Sequence, residues 1–282
     1  MILVADGHTH SNPVKGLGME RIAPKFKERG GWFMAIVGLS PWHYGLEGTL
    51  EGYEKALQIT LRECEVARNF GLRTSCLFGF HPADVDKFIG KMQPHEVLEF
   101  GKKVLRLVER ELREGRLNGI GEVGRQHYKT HPISVVIAEK IMDEAFRLSK
   151  EFDAVVHLHL EQGGRVSVID IKERVERFGV NPNRIVMHHL RGKTLRYALE
   201  EGVRCTVPGV KGLLENITSL PPEYIIESDH IDDPKRPGIV VYPWEMAENQ
   251  AELLKRGLVD EEYLYKINVD NVVKVFNVEP PR

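Results

Sequence analysis

Eight short apolar runs recur along the chain, separated by segments of helical spacing. The runs are MILVAD (1–6), WFMAIVGLS (32–40), RTSCLFGF (73–80), LNGIGEVG (117–124), AVVHLHL (154–160), RIVMHHL (184–190), RCTVPGV (204–210) and EYIIESD (223–229). They are continuously apolar and rich in Val and Ile, the pattern of strands buried on both faces. Helical spacing marks 52–70, 95–112, 134–152, 167–178 and 193–202. The seventh run is followed only by a short connection, KGLLENITSL. Segments 243–257 and 260–278 read as a helical tail. Strands alternating with helices imply parallel βαβ units. Eight of them in 282 residues point to an α/β fold, a closed (β/α)8 TIM-type barrel, rather than an open doubly wound sheet. No GxGxxG or GxxxxGK[ST] follows any run, which argues against a nucleotide-binding open sheet. No Gly/Ser-rich linker divides the chain, so one unit over 1–282 is expected, with the tail at about 243–278.

Composition narrows the partners. The 39 basic and 41 acidic residues are interspersed and leave a formal charge of −2, so nothing supports broad nucleic-acid affinity. No apolar run reaches the roughly eighteen residues of a membrane span. The chain opens directly into a strand-like run without a leader pattern, and a cytoplasmic location with no membrane partner is expected. No protein partner is indicated. Cys64, Cys76 and Cys205 are scattered and lack CxxC spacing, which argues against structural disulfides and against a thiolate zinc site. Cys64 and Cys205 read as buried packing residues. Abundant charge and sparse glutamine hint at a heat-adapted source.

A barrel of this kind carries its active site at the carboxyl ends of its strands. Run one ends in His8 and His10, run four at Glu122, run five in His157 and His159, and run six in His188 and His189. Run eight ends in Glu227, Asp229 and His230. Alternate residues of a strand point the same way, so His8 and His10 can grip one cation. Imidazole and carboxylate are ligands of zinc and related divalent metals. His8, His10, Glu122, His157, His188 and Asp229 make six ligands, enough for two ions with a carboxylate such as Glu122 as bridge. A lone strand-end histidine is more often a hydrogen-bonded core residue, and a strand-end acid can simply cap the next helix. Ligand types at five separate strand ends outweigh that reading. His43, His81, His95, His127 and His131 do not fit as direct ligands.

These motifs resemble the TatD family of metal-dependent hydrolases, within the amidohydrolase superfamily. DGHTH (6–10) looks like the family's opening Asp-x-His-x-His, GFHP (79–82) like its Gly-x-His-Pro, and GEVG (121–124) like its Gly-Glu-Ile-Gly. AVVH ending at His157, VMHH with His188, IIESD ending at Asp229 and the closing NVVKVFNV (271–278) follow in family order. The resemblance spans the whole chain. It implies a first ion held by His8, His10 and Asp229, a second held by His157 and His188, and Glu122 as the bridge. It also implies that Asp229 takes the proton from the attacking water. Phosphotriesterase-type relatives would carry a lysine where Glu122 stands. The polymerase-and-histidinol-phosphatase superfamily also opens with Asp-x-His-x-His, but it expects a late Asp-x-His, and here His230 directly follows Asp229.

Two departures stand out. Arg125 and Gln126 replace an apolar and an acidic residue of the family's GEIGLD. His159 stands in place of an arginine able to read a phosphate, a replacement that is not conservative. The resemblance implies hydrolysis of a phosphodiester, DNase-like. The departures keep open a small-molecule amidohydrolase, esterase or lactonase on the same site, and a non-catalytic metal-binding barrel stands behind both. His81, Arg125 and His159 are candidate substrate contacts. Trp42 and the loop 40–52 are a candidate pocket wall and rim. The expected cofactors are two divalent cations, zinc by default, with magnesium or manganese as alternatives. The expected partner is a small molecule or a nucleic-acid fragment as substrate.

Overall fold

A computed structural model describes residues 2–236 and 240–280; Met1, the first residue of the first run, lies outside them. Each of the eight runs forms a strand: β1 (Val4–Thr9), β2 (Gly31–Val37), β3 (Arg73–Phe78), β4 (Gly119–Gly124), β5 (Val155–His159), β6 (Ile185–Met187), β7 (Arg204–Pro208) and β8 (Ile225–Glu227). They pair in chain order, every ladder parallel. The first and last strands meet where Asp229 N donates to His8 O and His10 N donates to His230 O, both at 2.9 Å. The result is a (β/α)8 barrel.

The continuous apolar character of the runs follows from two buried faces. Met34, Ile36, Phe78, Val156 and Leu158 pack outward under the helices. Ala5, Phe33, Val37, Leu77, Val155, Val186 and Ile225 fill the lower interior. Toward the carboxyl ends the inward positions change from aliphatic to His and Glu, and that change positions the site.

The helices are α1 (Met19–Glu28), α2 (Leu50–Asn69), α3 (Pro82–Phe88), α4 (Pro94–Arg113), α5 (Pro132–Phe152), α6 (Arg165–Phe178), α7 (Gly192–Glu200), α8 (Lys211–Ile217), α9 (Pro243–Lys255), α10 (Glu261–Tyr265) and α11 (Asn271–Phe276). Proline opens α3, α4, α5 and α9, where its missing N–H costs nothing. Three of the helices, α1, α3 and α8, are not expected from the sequence. Helix α1 buries Met19, Ile22, Ala23 and Phe26 on one stripe, but Pro24 in its interior masks the pattern. Helix α3 is only seven residues long. The connection after β7 contains the short α8. The expected helical tail is α9, α10, a π-helix over Lys266–Asp270, and α11. Its last part closes the bottom of the barrel: Phe276 lies 4.7 Å from Phe33, ring to ring. Asn271 Nδ2 donates to the carbonyls of Pro222 and Tyr224 at 2.8 Å.

The cysteine expectation is overturned. Cys64 of α2 and Cys76 of β3 form a disulfide, with Cα atoms 6.1 Å apart, and Cys205 alone is free and buried. Helix α2 packs directly on β3, so residues twelve apart in sequence face one another without any CxxC spacing. Among the described residues, no helix is long and apolar enough to cross a membrane.

Candidate metal centre

In β1, Asp6 pairs with Met34 and Thr9 with Ile36, three steps against two. This bulge re-aims the strand end, and past it His8 and His10 both reach a cluster around Glu122. Glu122 Oε1 lies 3.1 Å from His8 Nε2 and 3.2 Å from His10 Nε2. Its other oxygen, Oε2, lies 2.8 Å from His159 Nδ1, 3.1 Å from His81 Nε2 and 3.4 Å from His188 Nε2. One carboxylate therefore faces two separate sets of imidazoles. Asp229, just past β8, brings Oδ1 to 3.9 Å from His10 Nε2. Glu122 and Asp229 both line the cavity above, and Asp229, with its side chain 21% exposed against 6% for Glu122, is the more open of the two. Asp229 and His189, both in the lining of the cavity above the cluster, sit at positive φ, 47° and 50°. Such strain in non-glycine residues collects at functional sites.

The donor set fits divalent cations. Two ligands at 2.0–2.1 Å from a tetrahedral ion stand about 3.3 Å apart. His8 Nε2, His10 Nε2 and Glu122 Oε1 are mutually separated by 3.1 to 3.3 Å. His159 Nδ1 faces His188 Nε2 at 3.0 Å, the spacing of a second donor set.

Burial sets the proton inventory. It lowers His8 well below the usual imidazole range, and the charge on His188 adds to that. It pushes His157 and His159 down to about 3. Neutral imidazoles are the form that binds metal. Burial alone would raise Glu122, but the charges on His188 and His81 and hydrogen bonds with His10 and His159 hold it well below its ordinary range. Burial, with Glu227 adding, pushes Asp229 up to about 7.

Of the residues expected from sequence, His8, His10, Glu122, His188 and Asp229 come together. His81 and His159 join them at Glu122 Oε2. His157 does not. Its Nδ1 faces His8 Nδ1 at 2.8 Å, and its Nε2 is buried without a partner. Arg125 does not reach the cavity either. It donates to Glu161 at 2.8 and 2.9 Å and forks to Asp170 and Glu139 on the outer helices, where Arg174 joins the network. Gln126 is also buried, donating to Pro82 O at 2.9 Å.

Above the cluster opens a cavity of about 510 Å³. Trp42 and His43, from a 3-10 turn in the loop after β2, form part of its wall, as expected for Trp42. Lys87, Arg191 and Arg236 stand at its rim, exposed, and none of the three has a carboxylate within 4.0 Å among the described residues. Sequence reading missed these cations because nothing local marks them; they converge only when the barrel closes. A larger hollow of about 640 Å³, beside Lys27, Arg68 and Arg73, lies at the opposite end of the barrel from this cluster.

Fold and site together define a (β/α)8 barrel with a candidate metal-binding cluster at the strand carboxyl ends. The family model described as TatD related DNase matches residues 5–277, and the chain belongs to that family of metal-dependent hydrolases. An uncharacterized protein of Methanocaldococcus jannaschii is 25% identical over 287 residues, covering 98% of this chain and 96% of its own length. The TatD-like protein of Archaeoglobus fulgidus matches in structure with a TM-score of 0.67 at 17% identity, over 97% of this chain and 100% of its own. The TatD homologue YJJV of Escherichia coli K12 matches with 0.67 at 17%, over 98% of each chain. A mutant PTE-like lactonase of Deinococcus radiodurans gives 0.64 at 15%, over 97% of this chain and 95% of its own. These structural likenesses establish the barrel.

Proposed function

We propose that this chain hydrolyses a phosphodiester at a two-ion centre. The observation that carries the reading is the division of Glu122: Oε1 faces His8 and His10, Oε2 faces His159 and His188. In this reading His8, His10 and Asp229 hold the first ion. His188 and His159 would hold the second, His159 in the place the family resemblance gives to His157, with Glu122 between the two sets. Imidazole-rich donors make zinc the default, with manganese or magnesium as alternatives. When bound, the ions supply a water acidic enough to act near neutrality and counter-charge for the reacting oxygen.

The chain's own groups do the rest. Asp229, the more exposed carboxyl, accepts the proton of the attacking water and returns it to the leaving oxygen. His81 orients the phosphoryl group from beside Glu122. Lys87, Arg191 and Arg236 favour an anionic substrate at the rim, and the cavity's size limits the part engaged to a short fragment. Cytoplasmic residence belongs to the same reading. Intracellular disulfides are known from heat-adapted organisms, so the Cys64–Cys76 bond does not oppose it.

The test is turnover of bis(4-nitrophenyl) phosphate and of a short single-stranded oligonucleotide by zinc- or manganese-loaded protein. Cleavage that falls at least about a thousandfold in Asp229→Asn supports the reading. A loaded protein that leaves both intact but opens lactones or carboxylic esters would transfer the site to the second reading, small-molecule hydrolysis, which the apolar wall of Leu39, Trp42, Ile231 and Val240 favours.

A further inference from the structure

The buried histidine beneath the cluster has no task in the reading above. His157 is fully buried on β5, lies outside the cavity lining, and has an Nε2 that meets no polar group. Its single polar contact is His8, Nδ1 to Nδ1 at 2.8 Å.

The neighbouring imidazoles show what that contact does. His10 turns Nε2 toward Glu122, and its rear nitrogen, Nδ1, lies 2.8 Å from Val37 O. A carbonyl only accepts, so Nδ1 of His10 carries the hydrogen and Nε2 offers its lone pair forward. His8 has the same posture, with Nε2 at 3.1 Å from Glu122 Oε1 and Nδ1 to the rear. To offer Nε2 to an ion, His8 must carry its hydrogen on Nδ1, and that hydrogen needs an acceptor. The acceptor at hydrogen-bond distance is His157 Nδ1. With its hydrogen on Nε2, the imidazole of His157 has a lone pair at Nδ1 to give. Ligand histidines commonly donate their second N–H to a fixed acceptor, and loss of that partner weakens metal binding ten- to a hundredfold. Usually the acceptor is a carboxylate or a backbone carbonyl; here it is a second imidazole.

We propose that His157 is a positioning residue: it accepts the Nδ1 hydrogen of His8, fixing the tautomer and ring orientation in which His8 binds the first ion, and is not itself a ligand. This rests on the two-ion reading. The rear partner sits on the opposite side of the barrel from β1, so β5 contributes His159 to the second donor set and His157 to the support of the first.

The experiment is a competition titration of zinc against a chromophoric chelator, with cobalt(II) absorption as a second readout. It compares the parent with His157→Phe, which keeps a flat ring without an acceptor, and His157→Gln, whose Oε1 can accept. Metal-free circular dichroism checks folding, and His157→Leu is the alternative if Phe does not fit. The proposal expects two equivalents at saturation in every variant and an unchanged cobalt coordination spectrum. One of the two affinities should fall about ten- to a hundredfold in Phe or Leu and largely recover in Gln. Loss of a whole equivalent at saturation, with an altered cobalt band, makes His157 a ligand and overturns the proposal. Affinities unchanged within twofold overturn it as well. Absence of metal uptake by the parent refutes the two-ion reading itself, whereas two equivalents in the parent with either of the other outcomes refute only the support role.

Discussion

At the scale of single residues, the two site carboxyls differ in environment and should differ in consequence. Glu122 is enclosed by imidazoles on both oxygens, whereas Asp229 opens to the cavity. Asp229→Asn is therefore expected to abolish turnover while most bound metal stays, measured by elemental analysis beside the rate assay; normal activity in that variant would end the proton-acceptor role. A third carboxyl tests the burial argument through pH. Burial raises Asp6 from 3.8 to about 7, Glu227 adds to the rise, and hydrogen bonds from Ser228 and His8 oppose it. A raised value means that the folded chain holds the proton more tightly than the unfolded chain. Stability from this group is thus complete below about pH 4 and is lost as pH climbs to 7. In metal-free protein, the stability of the parent relative to Asp6→Asn should rise by about 3 kcal/mol as pH falls from 7 to 4. Chemical denaturation at several pH values measures it, and a difference flat in pH would show that Asp6 does not hold its proton.

At the scale of elements, what was legible and what was not separate cleanly. The HxH of β1 and the Glu of β4 were readable, because a strand's alternation fixes which side chains share a face. The same alternation on β5 left two candidates, His157 and His159. Both point inward, and only the height along the strand tells them apart, which a single sequence does not carry. The surroundings of Arg125 are hidden for a related reason: its carboxylate partners Glu139, Glu161 and Asp170 sit on or near α5 and α6, contacts set by helix packing. The disulfide was invisible because it depends on α2 lying against β3. It should be countable. Unreduced, denatured protein is expected to expose one reactive thiol, Cys205, and reduced protein three. Closing a loop of this length contributes roughly 3 kcal/mol, so replacing both Cys64 and Cys76 by Ser should lower stability by about that amount. Three thiols without reduction would remove the bond from the account.

At the scale of the whole molecule, the barrel is a cylinder whose bottom is packed with apolar side chains and whose top is lined with imidazoles and carboxylates. Phe276 ties the closing helix α11 to the centre: it sits among the lower interior side chains and lies 5.7 Å from the ring of His157. Phe276→Ala should cost about 3 kcal/mol in stability, read by thermal or chemical denaturation, and an effect below about 1 kcal/mol would mean that the closing helix is not part of the core. The order of strands and helices was legible because each βαβ unit repeats one pattern. The rim cations were not, because Lys87, Arg191 and Arg236 come from three connections that meet only over the finished barrel.

The central claim is a pair of ions held across Glu122, and it is met most directly by metal content. Protein purified without a histidine tag or chelator, analysed by elemental emission beside Glu122→Ala, should carry close to two equivalents of divalent metal per chain, with a clear fall in the variant. No bound metal in the parent, and no uptake when zinc or manganese is added, would contradict the account.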